Sequence, residues 1–191
     1  MDGPERSISA LNLPSPVVDF VAKSWGIQEL YPPQAKALYS ILAGKNTMVC
    51  IPTASGKSLV AFLGIMKRLL VIDKGSRAVY IVPLKALASE KYDDLSQLAG
   101  AVGLTVGLGT GDAAGESRNV ANADIIVCTS EKLDSLMRNR PDIVADVSVI
   151  VADEFHLLND ISRGPTLEIN LTRLKSIRPQ AQLIALSATV G

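Results

Sequence analysis

An α/β fold, with a parallel sheet covered by helices on both faces, is predicted by three features of this 191-residue sequence. Short runs rich in β-branched residues alternate with longer helix-like stretches, the order that right-handed crossovers between parallel strands require. Several of those runs are nearly continuous in apolar residues, as expected of strands buried from both sides. Apolar residues make up 48% of the chain, enough for a substantial core and too many for disorder. The length fits one domain of good size or two very small ones.

In chain order, two helical elements come first. Ser15-Pro16 reads as a start signal, with Ser15 as the cap, Pro16 in the first turn and Gly26 closing the segment. Pro32-Pro33 opens a second helix with Ala35, Leu38 and Ile41 on one face, stopped near Gly44. The strand candidates are Thr47–Ile51, Arg77–Val82, Leu104–Leu108, Asp124–Cys128, Ser148–Ala152 and Gln182–Leu186. Helices are expected between them around 56–72, 84–98, 131–139 and 165–177. The glycines at 103, 107, 109, 111 and 115 make 103–116 turn-rich, read as a strand flanked by loops. No internal repeat or low-complexity segment stands out. The stop soon after Thr189, directly after a strand, is expected of a piece of something longer.

Composition narrows the function classes. Lys plus Arg total 19 and Asp plus Glu total 19, so the formal charge is zero. A polybasic tail or histone-like partner is excluded, a local basic groove is not. Cys50 and Cys128 cannot form a disulfide scaffold; both lie in apolar runs and are expected as buried thiols in a reducing interior. No run approaches the ~18 uninterrupted apolar residues of a membrane span, and Met1-Asp2-Gly3-Pro4-Glu5 lacks a basic-then-apolar leader. A soluble cytoplasmic domain with no membrane partner is the expectation.

The strongest chemical signal is Pro52-Thr53-Ala54-Ser55-Gly56-Lys57-Ser58, between an apolar strand and the helical run Leu59-Val60-Ala61-Phe62-Leu63. Small residues let backbone N–H groups converge on phosphate oxygens, and the helix points its positive end at the anion. Lys57 then supplies a point charge to the β- and γ-phosphates of ATP, and the Ser58 hydroxyl is a ligand for Mg²⁺. The general pattern wants Gly at position 51, where this chain has Ile51. A second apolar strand, Ser148-Val149-Ile150-Val151-Ala152, runs into Asp153-Glu154-Phe155-His156. Carboxylates at a strand's carboxyl end sit where α/β folds bind ligands. Asp153 is suited to hold Mg²⁺ and Glu154 to polarise an attacking water. His156 is the only histidine, and no second His or Cys stands at zinc spacing. Its place beside the base candidate suits coupling rather than proton transfer.

Taken together and in order, these segments resemble the superfamily-two DExH-box helicases, nearest the Ski-two-like branch that includes archaeal DNA repair helicases. Leu30-Tyr31-Pro32-Pro33-Gln34 is similar to the adenine-recognising Q motif, with Gln34 reading the base edge. Pro52 to Ser58 resembles motif I, and in this branch the first glycine is commonly absent. Pro83-Leu84-Lys85-Ala86-Leu87-Ala88 resembles motif Ia, and Thr110-Gly111-Asp112 and Thr129-Ser130-Glu131-Lys132 resemble later strand-contacting motifs. Asp153-Glu154-Phe155-His156 is a DExH box. Arg163-Gly164 with Leu167-Glu168 matches a further segment, and Ser187-Ala188-Thr189 is similar to motif III.

The resemblance implies a RecA-like P-loop NTPase domain over 31–191, preceded by a helical lead-in over 1–30. A second RecA-like domain, the partner that completes the ATP site, has no motif in this chain. It implies ATP and ADP as ligands, Mg²⁺ as cofactor, and hydrolysis coupled to 3′–5′ movement along single-stranded nucleic acid, DNA favoured over RNA. Glu154, Asp153 and Lys57 become the catalytic set, and His156, Ser187 and Thr189 couple hydrolysis to strand binding. Physically, loops rich in small and hydroxyl groups at Pro83, Leu84, Lys85, Thr110, Gly111, Thr129 and Ser130 can hold a phosphodiester backbone without reading bases. Lys85, Lys132 and Arg118 are candidates to add charge, and Ser130 is also a candidate helix cap. Aromatic residues total only 4%, so base stacking carries little affinity, and Trp25 is expected in packing. Two other readings remain open: a nucleotide-switched nucleic-acid-binding module without translocation, and an RNA helicase of the same branch. A small-molecule kinase leaves Asp153 to His156 and Ser187 to Thr189 without a purpose.

Overall fold

The computed structural model describes residues 5–52, 56–111, 117–162 and 164–188. Helices α1 (Ser15–Lys23) and α2 (Pro32–Leu42) lead into β1 (Thr47–Cys50). Then come α3 (Lys57–Lys67), β2 (Arg77–Val82), α4 (Lys85–Gly100), β3 (Val106–Gly109), β4 (Ser117–Arg118), β5 (Ile125–Thr129), α5 (Ser130–Asn139), β6 (Val147–Ala152), α6 (Gly164–Ile177) and β7 (Gln182–Ser187).

The strands form one sheet in the order β1-β7-β6-β2-β5-β3-β4. Six are parallel, and two-residue β4 adds antiparallel to β3 at the edge. All six expected strands are present; β4 is the addition, too short to leave a periodic signature. The central strands β2, β5 and β6 are buried almost throughout because each lies between two helical layers. One layer carries α1 to α4, whose side chains share a core with Val49, Tyr80, Val127, Val151 and Ile184. The other carries α5 and α6, packed on Val79, Ile81, Ile126 and Ile150. Ile8, Val17, Val21 and Leu30 belong to the first core, so the lead-in is built into the domain.

Local departures have local causes. Pro14 rather than Ser15 occupies the cap of α1, and Ser15 is already helical, so its hydroxyl caps nothing. The helix expected over 56–72 is α-helical to Lys67 and widens into a π-helical turn at Arg68–Ile72, where the Asp73 N–H reaches the Arg68 carbonyl at 2.8 Å. Cys50 is exposed, not buried: β1 is an edge strand, and its alternate residues face outward. Cys128, in β5, is buried, and desolvation pushes its thiol up to about 12. Among the described residues no helix is long and apolar enough to cross a membrane.

Helix α3 sits close to the sheet because residue 64 has no side chain. A Cβ there would lie 2.5 Å from Ile41 Cγ2 and 3.0 Å from Ile184 Cδ1. Gly64→Ala is expected to destabilise the fold by about 1–2 kcal/mol, the overpacking cost exceeding the helix-propensity gain of about 1 kcal/mol. A urea midpoint equal to that of the unmodified chain would show that α2 moves aside freely.

Candidate nucleotide site and adjoining groove

The loop after β1 enters with Ile51 buried in the core and Pro52 exposed. Ile51, where the general pattern has glycine, is therefore a packing residue. Thr53, Ala54 and Ser55 lie outside the described residues. Gly56 caps α3 in the left-handed region at φ 66°. A Cβ on it would stand 2.6 Å from Gln34 Nε2, so both dihedral and space demand glycine. Gln34 is 3% exposed. Its Oε1 accepts from the Tyr31 N–H at 2.8 Å and its Nε2 donates to the Gly56 carbonyl at 3.1 Å. The side chain expected to read a base edge is thus committed to the backbones of α2 and the loop, because a buried amide needs polar partners.

Lys57, 4% exposed, opens α3 and reaches Glu154 Oε1 at 3.4 Å. Asp153 continues β6, its N–H donating to the Ile81 carbonyl at 2.9 Å. Its Oδ2 accepts from the Tyr80 hydroxyl and its Oδ1 from the Glu154 N–H, both at 2.8 Å. Burial raises the Asp153 carboxyl above the usual range; those two hydrogen bonds and nearby Lys91 pull the other way. Glu154 adopts φ 51°, left-handed and unusual for a residue with a Cβ. His156 Nδ1 is 3.4 Å from Glu154 Oε2 and is buried without a hydrogen-bond partner. At the end of β7, Ser187 Oγ donates to the Ala188 carbonyl at 2.9 Å and not to His156. Thr189 lies outside the described residues.

Gly56, Lys57, Ser58, Asp153 and Glu154 border one cavity of about 720 Å³, closed on its apolar side by Trp25, Phe62 and Leu87. Trp25 does pack, against Phe20 and Phe62, but it also forms a wall of this cavity. The donor set suits a hard divalent ion completed by ligand oxygens and water: one buried carboxylate, one hydroxyl, and the start of α3 for phosphate. Among the described residues no three His, Cys, Asp or Glu side chains gather as a metal cluster, so such an ion would depend on the nucleotide.

A second cavity, about 400 Å³, gathers Pro83, Leu84, Lys85, Thr110, Gly111, Thr129, Glu131 and Lys132 from the ends of β2, β3 and β5, so one acid stands beside the two lysines, and Ser130 is not in its lining. Lys132 Nζ donates to the Gly111 carbonyl at 2.7 Å and ties two of these loops together instead of standing free. The cap of α5 is Thr129, whose Oγ1 accepts from the Lys132 N–H at 3.4 Å; Ser130 is the first helical residue. Ser130 turns its carbonyl to Asn170 Nδ2 of α6 at 2.6 Å. Between the cavities, Pro83, Ser130, Leu157 and Leu167 close against Asp153 and Glu154 around a gap of about 10 Å³. Asp112, Arg163 and the Arg118 side chain lie outside the described residues.

The family description DEAD/DEAH box helicase matches residues 31–191. The chain belongs to this family. Among curated relatives, the ATP-dependent DNA helicase Hel308 of Methanocella arvoryzae is 49% identical over 189 residues, 96% of this chain and 25% of that protein. Hel308 of Pyrococcus horikoshii is 47% identical over 172 residues, covering 90% of this chain and 23% of its own length. The chain thus spans about a quarter of the length of these helicases. Among solved structures, Mycobacterium smegmatis helicase Lhr bound to ssDNA and AMP-PNP superposes with a TM-score of 0.80 at 28% identity, over 96% of this chain and 26% of that one.

Sequence reasoning missed Tyr80, Lys91 and Trp25 at this helicase site. Tyr80 left a usable signal: a phenol inside a wholly apolar strand must find a polar partner. Lys91 sits on the inner face of α4, which only the packing reveals. Gln34→Ala would strand the Tyr31 N–H and leave the Gly56 carbonyl with the Leu59 N–H at 3.2 Å, at about 1–3 kcal/mol for a buried unsatisfied group. ADP binding is expected to weaken along with the thermal midpoint. Isothermal titration and a melt check this, and unchanged values for both would remove Gln34 from the loop's support.

Proposed function

We propose that this chain is the ATP-binding first motor domain of an ATP-dependent DNA helicase. The observation that carries the reading is the meeting of Lys57, Ser58, Asp153 and Glu154 at one cavity on the carboxyl edge of the sheet. In this reading the amides opening α3 cradle the phosphates and Lys57 releases Glu154 to neutralise the β- and γ-phosphoryl oxygens. Ser58 and Asp153 hold Mg²⁺, which when bound neutralises charge building on the phosphoryl oxygens. Glu154, freed from Lys57, orients the attacking water and accepts its proton. His156, in contact with Glu154, and Ser187, at the end of the strand between the two motifs, couple that step to the neighbouring groove.

The groove at Pro83, Leu84, Lys85, Thr110, Gly111 and Thr129 takes the phosphodiester backbone of single-stranded DNA, with the buried Ser130 at the neighbouring gap rather than in the groove. Backbone amides and hydroxyls supply the contacts, giving sequence-tolerant, salt-dependent binding. The Hel308 relatives, described as ATP-dependent DNA helicases, support DNA over RNA, and the ssDNA and AMP-PNP bound to Lhr support the paired ligands. Movement in the 3′–5′ sense requires a second RecA-like domain, whose arginine fingers raise turnover in other NTPases by about 10³–10⁵.

Glu154→Gln in the full-length helicase is expected to keep ATP affinity and reduce turnover at least about 100-fold, the loss of a general base. Surviving turnover would strip Glu154 of its role. ATPase with and without single-stranded DNA separates motor from switch: stimulation supports the motor, and indifference to DNA supports a nucleotide-gated binding module.

A further inference from the structure

We propose that Asn170 is a positioning residue that pins the first turn of α5 between the strand groove and Glu154, so that a strand in the groove speeds the hydrolytic step. This deepens the motor reading above and rests on it. The buried face of α6 runs Gly164, Leu167, Asn170, Leu171 and Leu174, so an amide takes a place that helical periodicity gives to an apolar side chain. Asn170 has no exposed surface. Its Nδ2 donates to the Ser130 carbonyl at 2.6 Å, while its Oδ1 is buried without a hydrogen-bond partner among the described residues. Turning the amide over would set oxygen against oxygen, so the donor must face Ser130.

As a stabilising device this residue is a poor one. An unmatched buried acceptor costs folding free energy, and a leucine of similar shape would bear no such cost. Nor does Ser130 need the bond, because its carbonyl opens α5 and has the Asp134 N–H one turn on. What the asparagine adds is placement. Thr129, the cap of α5, lines the groove, and Ser130 and Glu131 border the gap beside Asp153 and Glu154. Leu167, one turn before Asn170 on α6, closes the same gap. Since α6 follows the acids in the chain, one helix packs beside the base and holds the turn that borders the strand. A second polar tie between the two helices, Arg173 to Asp134 at 2.8 Å, is exposed and screened by solvent.

Asn170→Leu in the full-length helicase tests the pin. ATPase is followed across an oligo(dT) titration, with strand affinity by anisotropy and a thermal melt alongside. The expected result is an unchanged basal rate, an unchanged half-saturating oligo(dT) concentration, a melt no lower, and a maximal stimulation reduced about fivefold. Full stimulation overturns the proposal. So does an equal fall in basal and stimulated rates, which marks a packing role, and so does a shift confined to half-saturation, which marks strand contact alone. If the unmodified helicase does not respond to oligo(dT), the motor reading itself fails, and that failure is visible without any variant. Should Asn170→Leu not fold, hydrogen exchange in the unmodified helicase decides. The amides of Lys132 to Asp134 must change protection when Mg-AMP-PNP is added without DNA, and protection indifferent to the nucleotide overturns the pin.

Discussion

Parallel pairing of β1, β7 and β6 is the constraint on which the site depends. Parallel strands all end on the same side, so the loop after β1 and the acids after β6 have to emerge together. With β7 between them they are two strand spacings apart, about 10 Å, a span that a triphosphate and its hydrated metal can bridge. The same edge continues over β2, β5 and β3, where the next three loops form the groove. One sheet edge thus carries both cavities, and the order of strands alone sets the division between them.

Keeping charge at the larger cavity is costly. Lys57 and Asp153 are almost inaccessible, and burying such groups seldom adds net stability. Asp153 is held by short, directional partners, Tyr80 and the Glu154 amide, and Lys57 by a longer contact with Glu154. Gln34 does the same for neutral groups, closing α2 onto the loop. Glu154, in a left-handed conformation at the turn out of β6, is the strained member of the set.

Much of this was legible in the residues, and the pattern of what was not is physical. Continuous apolar runs marked β2, β5 and β6 because burial on both faces leaves no polar alternation to confuse. Gly56-Lys57-Ser58 and Asp153-Glu154 were visible because their chemistry requires those types after a strand. Cys50 misled because a strand's composition does not tell which strand ends up at the sheet edge. Thr129 and Ser130 both suit a cap, and only backbone geometry assigns it to Thr129. Gln34 and Lys132 carry the right groups for ligands, yet tertiary packing gives them protein partners first. Tyr80 was hidden in plain view, counted as apolar within a strand whose carboxyl end it serves.

The close packing of Ser130, Leu157 and Leu167 against Glu154 leaves room for one water at most. Asn170 clasps the backbone at Ser130 from the helix that follows the acids. Close-packed walls do not absorb movement; they pass it on. A displacement of the first turn of α5 would therefore be felt at Glu154 without an intervening layer to absorb it.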